Sequence, residues 1–462
     1  MSYFKIVRTT DMESIKTIIF HHFDKCGGTT LQEYLKNYFD EDKICAIHTL
    51  VDSNPVYQTK SLPLYAKKTI LNKHFVHDPF GITLMLTDTR ISRITLFRKP
   101  IPRLISHWHM ICRWQDHEII NLPKDFAEIR QIARTSFKDF LFAIKNQHPL
   151  ARHLHNFYAN HLLYDNVSLR NEYYQSPLNF DNLKTYKSIC DIALAKFDFI
   201  GLVEDYDISL LRLNAHLNIP PALQLQKLNV HESDKLISRL DKETLFLLDE
   251  ILTLDKYIYQ RATEIYASQK EKFFQCIGND KDITAWVQNK YEQNLWNQSP
   301  TKQTRVTVLM SQALKGSGWH ARERNGQKIS RWTGPMSRAY LDIALDRSQP
   351  LLFTLYISNY LSIQQIKDLK IFVDGYPLKV ANRRKFEKNV VVKGKLGKNN
   401  NAGLTRLTIH TGHTLKNKGK EDPRLLGIEI LGLKIAPEEK ISSKLKIFLS
   451  KIVWRKPICS RL

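Results

Sequence analysis

The residues with the clearest chemical meaning lie between an apolar, strand-like run (residues 17–23) and a run of apolar residues at helical spacing. Two glycines break the strand, and two threonines offer hydroxyls that cap the start of a helix. Such a turn directs several backbone N–H groups and the positive end of a helix dipole at one point, and a lysine adds a full charge. The pattern predicts a phosphate or sulfate site, which we call the anion loop. Its members are Lys25, Cys26, Gly27, Gly28, Thr29 and Thr30.

A plain turn is the alternative interpretation of this loop, because adjacent glycines between a strand and a helix are common in α/β proteins. The familiar nucleotide motifs do not match the sequence. A P-loop, GxxxxGK[ST], places its lysine after the second glycine, whereas Lys25 precedes Gly27, and no GxGxxG is present. The loop therefore predicts an anion site and leaves the ligand open.

A second segment offers another pair of anion ligands. Residues 94–97 read as a strand, a proline-containing turn follows, and apolar residues from Leu104 begin a helix. Arg98, at the end of the strand, can bind a phosphate through its two-pronged guanidinium, and Ser106 can donate its hydroxyl to the same group. Ordinary turns can explain one such segment, but they explain two in this order less readily.

Two histidines three residues apart, His74 and His77, precede a proline, a glycine and a strand-like run at residues 82–86. A histidine in a loop is most often a polar surface residue, and a general base is the functional alternative. The His-x-x-His spacing also suits a metal, but no third ligand at a recognisable spacing accompanies it. The sequence therefore predicts no metal site here.

Lys-x-Gly-Gly-Thr-Thr-Leu, after a strand that ends in aromatic and histidine residues, resembles the 5′-phosphosulfate loop of sulfotransferases that use 3′-phosphoadenosine-5′-phosphosulfate (PAPS). The segment Arg-x-Pro-x-x-Arg-x-x-Ser is similar to the 3′-phosphate segment of that family, and Phe-x-Gly-Leu-x-Glu at residues 199–204 also matches. The most similar branch is the carbohydrate group with the heparan-sulfate 2-O-sulfotransferases and bacterial homologues. The resemblance covers about residues 15–270 and departs at Asp24, often Pro in relatives, and at Lys99, often Asp.

The resemblance implies an α/β, P-loop-like domain with a central parallel sheet that binds PAPS. The anion loop would hold the 5′-phosphosulfate, with Lys25 stabilising charge on the leaving phosphate. Arg98 and Ser106 would hold the 3′-phosphate. Asn229, in a segment that closes over the cofactor in relatives, would add a contact, although the basic residue that commonly follows is absent here.

The resemblance also assigns catalytic and acceptor roles. His74 best matches the base that takes the proton of the acceptor hydroxyl, with His77 as the reserve candidate, and Arg152 is the predicted acceptor contact. The implied reaction is sulfuryl transfer from PAPS to a hydroxyl of a surface polysaccharide or glycolipid, without a metal. A kinase-like P-loop nucleotide-binding protein and a non-catalytic glycan-binding protein are the alternatives.

The composition limits the class of protein. The chain has 462 residues, 43% of them hydrophobic, which is too long for one compact core and predicts two domains. A formal charge of +23 favours polyanionic partners, and without an RNA-binding motif nucleic acid is not expected.

The six cysteines form no CxxC pair, and acidic residues precede any apolar run at the start of the chain. Both features predict reduced thiols in a cytoplasmic protein without a signal peptide.

The pattern changes after residue 270. Residues 1–270 are predicted to form the sulfotransferase domain, residues 271–304 a polar linker with some helix, and residues 305–439 a β-sandwich of jelly-roll type. The sandwich resembles an accessory domain of glycan-modifying enzymes, and two of its tryptophans, Trp319 and Trp332, are either a sugar-stacking platform or ordinary core aromatics.

The end of the chain, residues 440–462, is basic, has no acidic residue and places apolar residues on one helical face. It is either a peripheral anchor at the inner face of an anionic membrane or a solvated chain end.

Overall fold

The computed structural model describes most of the chain. It covers residues 16–47, 64–163, 183–221, 236–278, 282–298, 300–386, 389–399, 403–417 and 424–438. The predicted cofactor contact Asn229 and the predicted amphipathic tail (residues 440–462) lie outside these ranges.

The amino-terminal part is built around a five-stranded sheet with the order β2-β3-β1-β4-β5. Every neighbouring pair of strands is parallel. β4 is buried along its whole length, as expected for a parallel sheet that is covered by helices. The predicted α/β fold with a central parallel sheet is confirmed. The strands are β1 (Thr17–His21), β2 (Ile44–Ala46), β3 (Phe75–Asp78), β4 (Ile91–Phe97) and β5 (Phe199–Leu202).

Helices connect these strands and pack on the sheet, and their buried faces share one core with it. A proline in the first turn starts α3, where its missing N–H costs nothing. The helices are α1 (Gly28–Leu35), α2 (Leu64–Leu71), α3 (Pro100–Arg113), α4 (Asp116–Ile119), α5 (Lys124–Thr135), α6 (Phe137–Lys145), α7 (Phe157–Leu162), α8 (Leu183–Leu194), α9 (Tyr206–Leu217), α10 (Lys242–Ile251), α11 (Thr253–Ile277) and α12 (Ile283–Asn297). Within the described ranges no helix is both long and apolar enough to cross a membrane.

The run at residues 82–86, predicted as strand-like, is instead a 3-10 helix, Ile82–Met85. The cause is the buried carboxylate of Asp78 at the end of β3. It accepts hydrogen bonds from the backbone N–H groups of Phe80, Gly81 and Thr83 at 2.8–3.0 Å, and so turns the chain back on itself. Ile82, Leu84 and Leu86 are buried in this turn without pairing in the sheet.

Residues 271–304, predicted as a linker, contain the end of α11 and all of α12. A small apolar cluster packs these two helices against α9. Its buried members are Ala215, Phe273, Ile277 and Val287.

The carboxyl-terminal part consists of antiparallel sheets, which confirms the predicted all-β domain. One sheet has the order β13-β14-β10-β18-β8-β7, with β6 also paired to β18, and a second has the order β12-β11-β15-β9. Their buried faces enclose a common core. The strands are β6 (Val306–Leu309), β7 (Glu323–Asn325), β8 (Lys328–Trp332), β9 (Arg338–Ile343), β10 (Leu351–Tyr360), β11 (Lys370–Val373), β12 (Tyr376–Pro377), β13 (Val380–Phe386), β14 (Asn389–Leu396), β15 (Thr405–His410), β16 (Leu415–Lys416), β17 (Leu425–Leu426) and β18 (Ile428–Pro437), and one short helix is α13 (Ile363–Lys367).

The two tryptophans considered as a sugar platform are core residues. Trp319 is 7% exposed and Trp332 is 5% exposed. The indole N–H of Trp319 donates to the carbonyl of Tyr340 at 3.0 Å, and that of Trp332 donates to the carboxylate of Glu323 at 3.3 Å. With their faces buried, neither ring is open to a sugar, and the platform interpretation is wrong.

Candidate active site

The anion loop and Arg98 lie at the same edge of the parallel sheet. The loop follows β1 and Arg98 follows β4, and these two strands are neighbours in register from Thr17 opposite Ile91 to His21 opposite Thr95. After β1 the chain moves to one side of the sheet, and β4 and β5 lie on the other. This is the topological switch point, where open α/β sheets form a crevice outside the carboxyl ends of their strands.

The loop has the backbone of a tight turn followed by a helix. Lys25 and Gly27 both have left-handed φ angles, 66° and 71°, and the N–H of Cys26 donates to the carbonyl of Phe23 at 3.3 Å. α1 begins at Gly28, with Gly27 as its N-cap and no side-chain cap. The two threonines, predicted as caps, therefore lie inside the first turn, and no hydroxyl caps that turn. Its N–H groups suit an anion.

Gly28 is required by a close approach of His22. A Cβ built on Gly28 would lie 2.0 Å from Cδ2 and 2.2 Å from Nε2 of His22. The imidazole thus packs directly on the first residue of α1, and any side chain at this position would displace it. The second glycine of the loop is therefore needed for more than the turn, because the absence of a side chain lets the His22 imidazole lie beside the anion site.

Cys26 faces the protein core and not the crevice. Its side chain is buried, its Sγ lies 3.2 Å from the hydroxyl of Tyr158, and burial raises the pKa of the thiol to about 12. Since its N–H is bonded to Phe23, neither end of Cys26 is directed at a ligand. Its predicted role as a cofactor contact is replaced by a role in anchoring the loop.

Tyr158 and Arg98 hold the loop against the end of β4. The hydroxyl of Tyr158 donates to the carbonyl of Arg98 at 2.7 Å, and the N–H of Arg98 lies 3.0 Å from the same hydroxyl. Nη1 of Arg98 donates to the carbonyl of Lys25 at 3.2 Å. The two cationic residues predicted for the two ends of one ligand are therefore joined directly.

The electrostatic environment of Lys25 is cationic. Burial lowers the pKa of its ammonium below the ordinary value, the nearby Asp24 raises it, and Arg113 and Arg98 lower it further. An anionic ligand in this crevice would relieve the repulsion among these groups.

Ser106 lies in α3, which begins two residues after Arg98, and it is 3% exposed. Arg103, on the same helix, is fully buried. Its guanidinium lies 4.0 Å from the centre of the Phe157 ring and 3.8 Å from the carboxylate of Asp255. These contacts fasten α3 to α7 and α11.

His74 lies at the opposite edge of the sheet. The backbone N–H of His74 donates to the carbonyl of Lys43, and its carbonyl accepts from the N–H of Ile18. Both partners lie at the amino ends of their strands, Lys43 just before β2 and Ile18 at the start of β1. Each residue of a strand advances about 3.3 Å, so His74 is roughly 10 Å behind His77 and farther from the anion loop. The prediction of His74 as the base is therefore corrected, because it lies at the wrong end of β3.

His77, the reserve candidate, lies near the carboxyl end of β3 and contacts His22. Nδ1 of His22 is 2.8 Å from Nε2 of His77. In the sequence, His22 is visible only as part of the strand-like run at residues 17–23. Its position directly after the last residue of β1 was the available signal, because polar side chains at that point face the crevice.

Further histidines lie on the α3 and α7 side of the loop. Arg152 begins a short 3-10 helix, Arg152–Leu154, that also carries His153. Burial lowers the pKa of His153 to about 4, an effect that Asp24 opposes, and the rings of His153 and His107 are 5.9 Å apart. Nδ2 of Asn160 in α7 donates to the carbonyl of His153 at 3.0 Å, so the segment of Arg152 packs on the helix whose Tyr158 contacts Cys26 of the loop. Among the described residues no group of three or more His, Cys, Asp or Glu could hold a metal ion.

Comparison with known proteins places the chain in a family. A family model described as "Sulfotransferase family" matches residues 8–294, well over half of the chain. No curated protein matches. Among solved structures, a family GH115 4-O-methyl-alpha-glucuronidase with specificity for decorated arabinogalactans aligns at 9% identity and a TM-score of 0.13, over 90% of this chain and 54% of that chain. This structural match carries no argument about fold or function.

Proposed function

The chain belongs to the sulfotransferase family, and from that premise we propose that it transfers a sulfuryl group from PAPS to a hydroxyl of a carbohydrate. The observation that carries the proposal is the hydrogen bond from Arg98 to the carbonyl of Lys25. It joins two cationic residues that lie at the ends of neighbouring strands, at the edge where such sheets bind ligands. A nucleotide with anionic groups at both its 3′ and 5′ positions suits this arrangement.

The residues of the crevice fit such a donor by their chemistry. The uncapped first turn of α1 and the ammonium of Lys25 would bind the 5′-phosphosulfate, and Arg98 would bind the 3′-phosphate with Ser106. Lys25 would also neutralise the charge that forms on the phosphate oxygen as it leaves. The chain thereby supplies positioning and charge stabilisation, which are the main requirements of this class of transfer.

The His22–His77 pair would receive the proton in this reaction. The acceptor oxygen forms a bond to sulfur, the bond from sulfur to the phosphate oxygen breaks, and the hydroxyl proton passes to an imidazole nitrogen of the pair. The products are a sulfate ester and 3′-phosphoadenosine-5′-phosphate (PAP). Because Nδ1 of His22 and Nε2 of His77 share a hydrogen bond, one ring donates and the other accepts, and each fixes the tautomer of its partner.

The carbohydrate nature of the acceptor, a surface polysaccharide or glycolipid, is part of the proposal and rests on the resemblance in the anion loop and the Arg98 segment. Arg152 is the proposed acceptor contact, because its 3-10 helix packs on α7, which contacts the loop through Tyr158. We also propose a cytoplasmic location, with the basic tail at the inner membrane face.

The deciding experiment compares nucleotides and then seeks the product. PAP should raise the melting temperature of the wild-type protein more than ATP with magnesium does, and Lys25→Ala should reduce the PAP effect. Mass spectrometry of glycans incubated with the protein and PAPS should then show the gain of one sulfate. Stabilisation by ATP with magnesium and not by PAP would favour a kinase-like protein. Glycan binding without any nucleotide effect would favour a non-catalytic one.

A further inference from the structure

The two ends of α1 contact two different sites of the protein. Its first residue, Gly28, forms the anion site, and its last residue, Leu35, is followed directly by a 3-10 turn, Lys36–Tyr38. This turn lies against the β-sandwich. A helix of eight residues is only about 12 Å long, so the sandwich is bound close to the anion site.

Asn37 is the centre of this contact. It is 4% exposed, and both polar atoms of its side chain are bonded to the sandwich. Nδ2 donates to the carbonyl of Trp319 at 3.0 Å, and Oδ1 accepts from Nη1 of Arg331. The carbonyl of Asn37 accepts from the N–H of Leu314 at 3.0 Å. Every one of these partners belongs to the sandwich part of the chain.

Arg331 is fully buried and holds this arrangement from the sandwich side. In addition to Asn37, it donates from Nε to the carbonyl of Met310 at 2.9 Å and from Nη2 to the carbonyl of Gln312 at 2.8 Å. Burial lowers the pKa of its guanidinium to about 9, and the neighbouring Arg322 lowers it further. A buried cation whose partners are neutral oxygens is costly unless all its hydrogen bonds are made, so its geometry is tightly constrained.

Other contacts extend the same interface. Arg322 donates to the carbonyls of Lys36 and Phe39, and Oδ1 of Asp40 accepts from the N–H of Ala313 at 2.7 Å. Inside α1, the hydroxyl of Tyr34 donates to the carbonyl of Pro220 at 2.8 Å. The carboxyl-terminal half of α1 and the turn after it are therefore fixed on several sides.

We propose that the sandwich is a positioning element for the donor site, and that Arg331 and Asn37 set the orientation of α1 and hence of the N–H groups at its amino end. α1 behaves as a short rigid rod, because the hydrogen bonds within a helix transmit a tilt from one end to the other. A change at Asn37 therefore moves the first turn, where the proposed nucleotide binds. This inference rests on the proposed function for the identity of the ligand, but not for the mechanical connection.

The test uses the full-length chain and a matched pair of variants. Arg331→Lys replaces the guanidinium by a single ammonium and so removes most of the hydrogen bonds to Asn37, Met310 and Gln312. Arg347→Lys makes the same change at an arginine that bonds Asp374 and Gly397, both within the sandwich. Arg322→Gln is a milder interface variant that covers the case in which Arg331→Lys does not fold. For each protein we would measure the melting temperature, the PAP dissociation constant well below that temperature, and amide hydrogen exchange at residues 31–33, the first amides of α1 with an acceptor inside the helix.

Arg331→Lys and Arg322→Gln should weaken PAP binding, by roughly tenfold for the former, and should speed exchange at residues 31–33 of α1. Arg347→Lys should leave both unchanged, even if its melting temperature falls by the same amount. Wild-type PAP affinity and unchanged exchange in both interface variants would overturn the inference. If the wild-type protein does not bind PAP, the proposed function fails, and the exchange data from the ligand-free chain alone decide whether the sandwich orients α1.

Discussion

Nδ1 of His22 and Nε2 of His77 lie 2.8 Å apart, which joins the end of β1 to the end of β3 directly beside the anion loop. If this pair accepts the acceptor proton, His77→Ala should lower kcat by roughly 10²–10⁴-fold. PAP affinity should change little, because neither imidazole is a proposed ligand of the phosphate groups. His74→Ala is the matched control and should retain activity. Kinetics of sulfate transfer from PAPS, together with PAP titrations, check this prediction, and a fully active His77→Ala protein would contradict it.

The pH profile should report the same pair. Burial lowers the pKa of His22 below the ordinary 6.5, Asp24 raises it, and Lys25 and His161 lower it. Only a neutral imidazole accepts a proton, and a lowered pKa keeps it neutral to lower pH. kcat/KM should therefore stay level as the pH falls to about 6.5 and decline only below it.

Asp24→Asn tests the direction in which Asp24 shifts the pH profile. Removing the carboxylate that raises the pKa of His22 should move the acidic limb to still lower pH. An acidic limb centred above pH 6.5 in the wild-type protein, or a limb that Asp24→Asn moves upward, would exclude this imidazole as the titrating group.

Gly28→Ala should disrupt the site by steric contact, since the added Cβ would lie 2.0 Å from Cδ2 of His22. We expect a loss of about 1–3 kcal/mol in the free energy of unfolding, together with loss of activity. Gly397→Ala is the control, because a Cβ there meets nothing within 4 Å. Denaturant unfolding measures both variants. Equal, small effects would show that the imidazole does not pack on α1.

Tyr158→Phe tests how the loop is anchored. The hydroxyl of Tyr158 bonds the N–H and the carbonyl of Arg98 and contacts the thiol of Cys26. Without it these partly buried groups lose a partner, at a cost of about 1–3 kcal/mol in stability. Cys26 should also become more reactive toward a thiol reagent as the loop loosens. Unchanged stability and unchanged reactivity together would contradict the anchoring role.

Arg98→Gln should remove the preference for a 3′-phosphate. The wild-type protein should bind PAP more tightly than adenosine 5′-monophosphate, because a charge-assisted hydrogen bond to the 3′-phosphate contributes about 1.5–3 kcal/mol, or at least tenfold in affinity. In Arg98→Gln the two nucleotides should bind about equally. Calorimetric titration of both ligands against both proteins tests this, and a preference that survives the substitution would place the 3′-phosphate elsewhere.

The sequence by itself determined the local features of this protein. The order of strand, glycine turn and helix around Gly27, the end of β4 just before Arg98 and the antiparallel character of the sandwich all follow from periodicity and turn residues. These signals arise from neighbours in the chain, and so they are visible without the fold. The family motifs added the proposal of a PAPS donor, because they too are short and contiguous.

Only the tertiary structure decided which candidates share a site. His74 and His77 are three residues apart, yet the direction of β3 places one at each edge of the sheet. Cys26 lies within the anion motif, yet Tyr158, from a distant helix, determines that its thiol faces the core. His22 next to His77 and Asn37 against Arg331 depend on the packing of segments far apart in sequence. Such contacts follow from the register of the sheet and the docking of the domains, and no local pattern contains them.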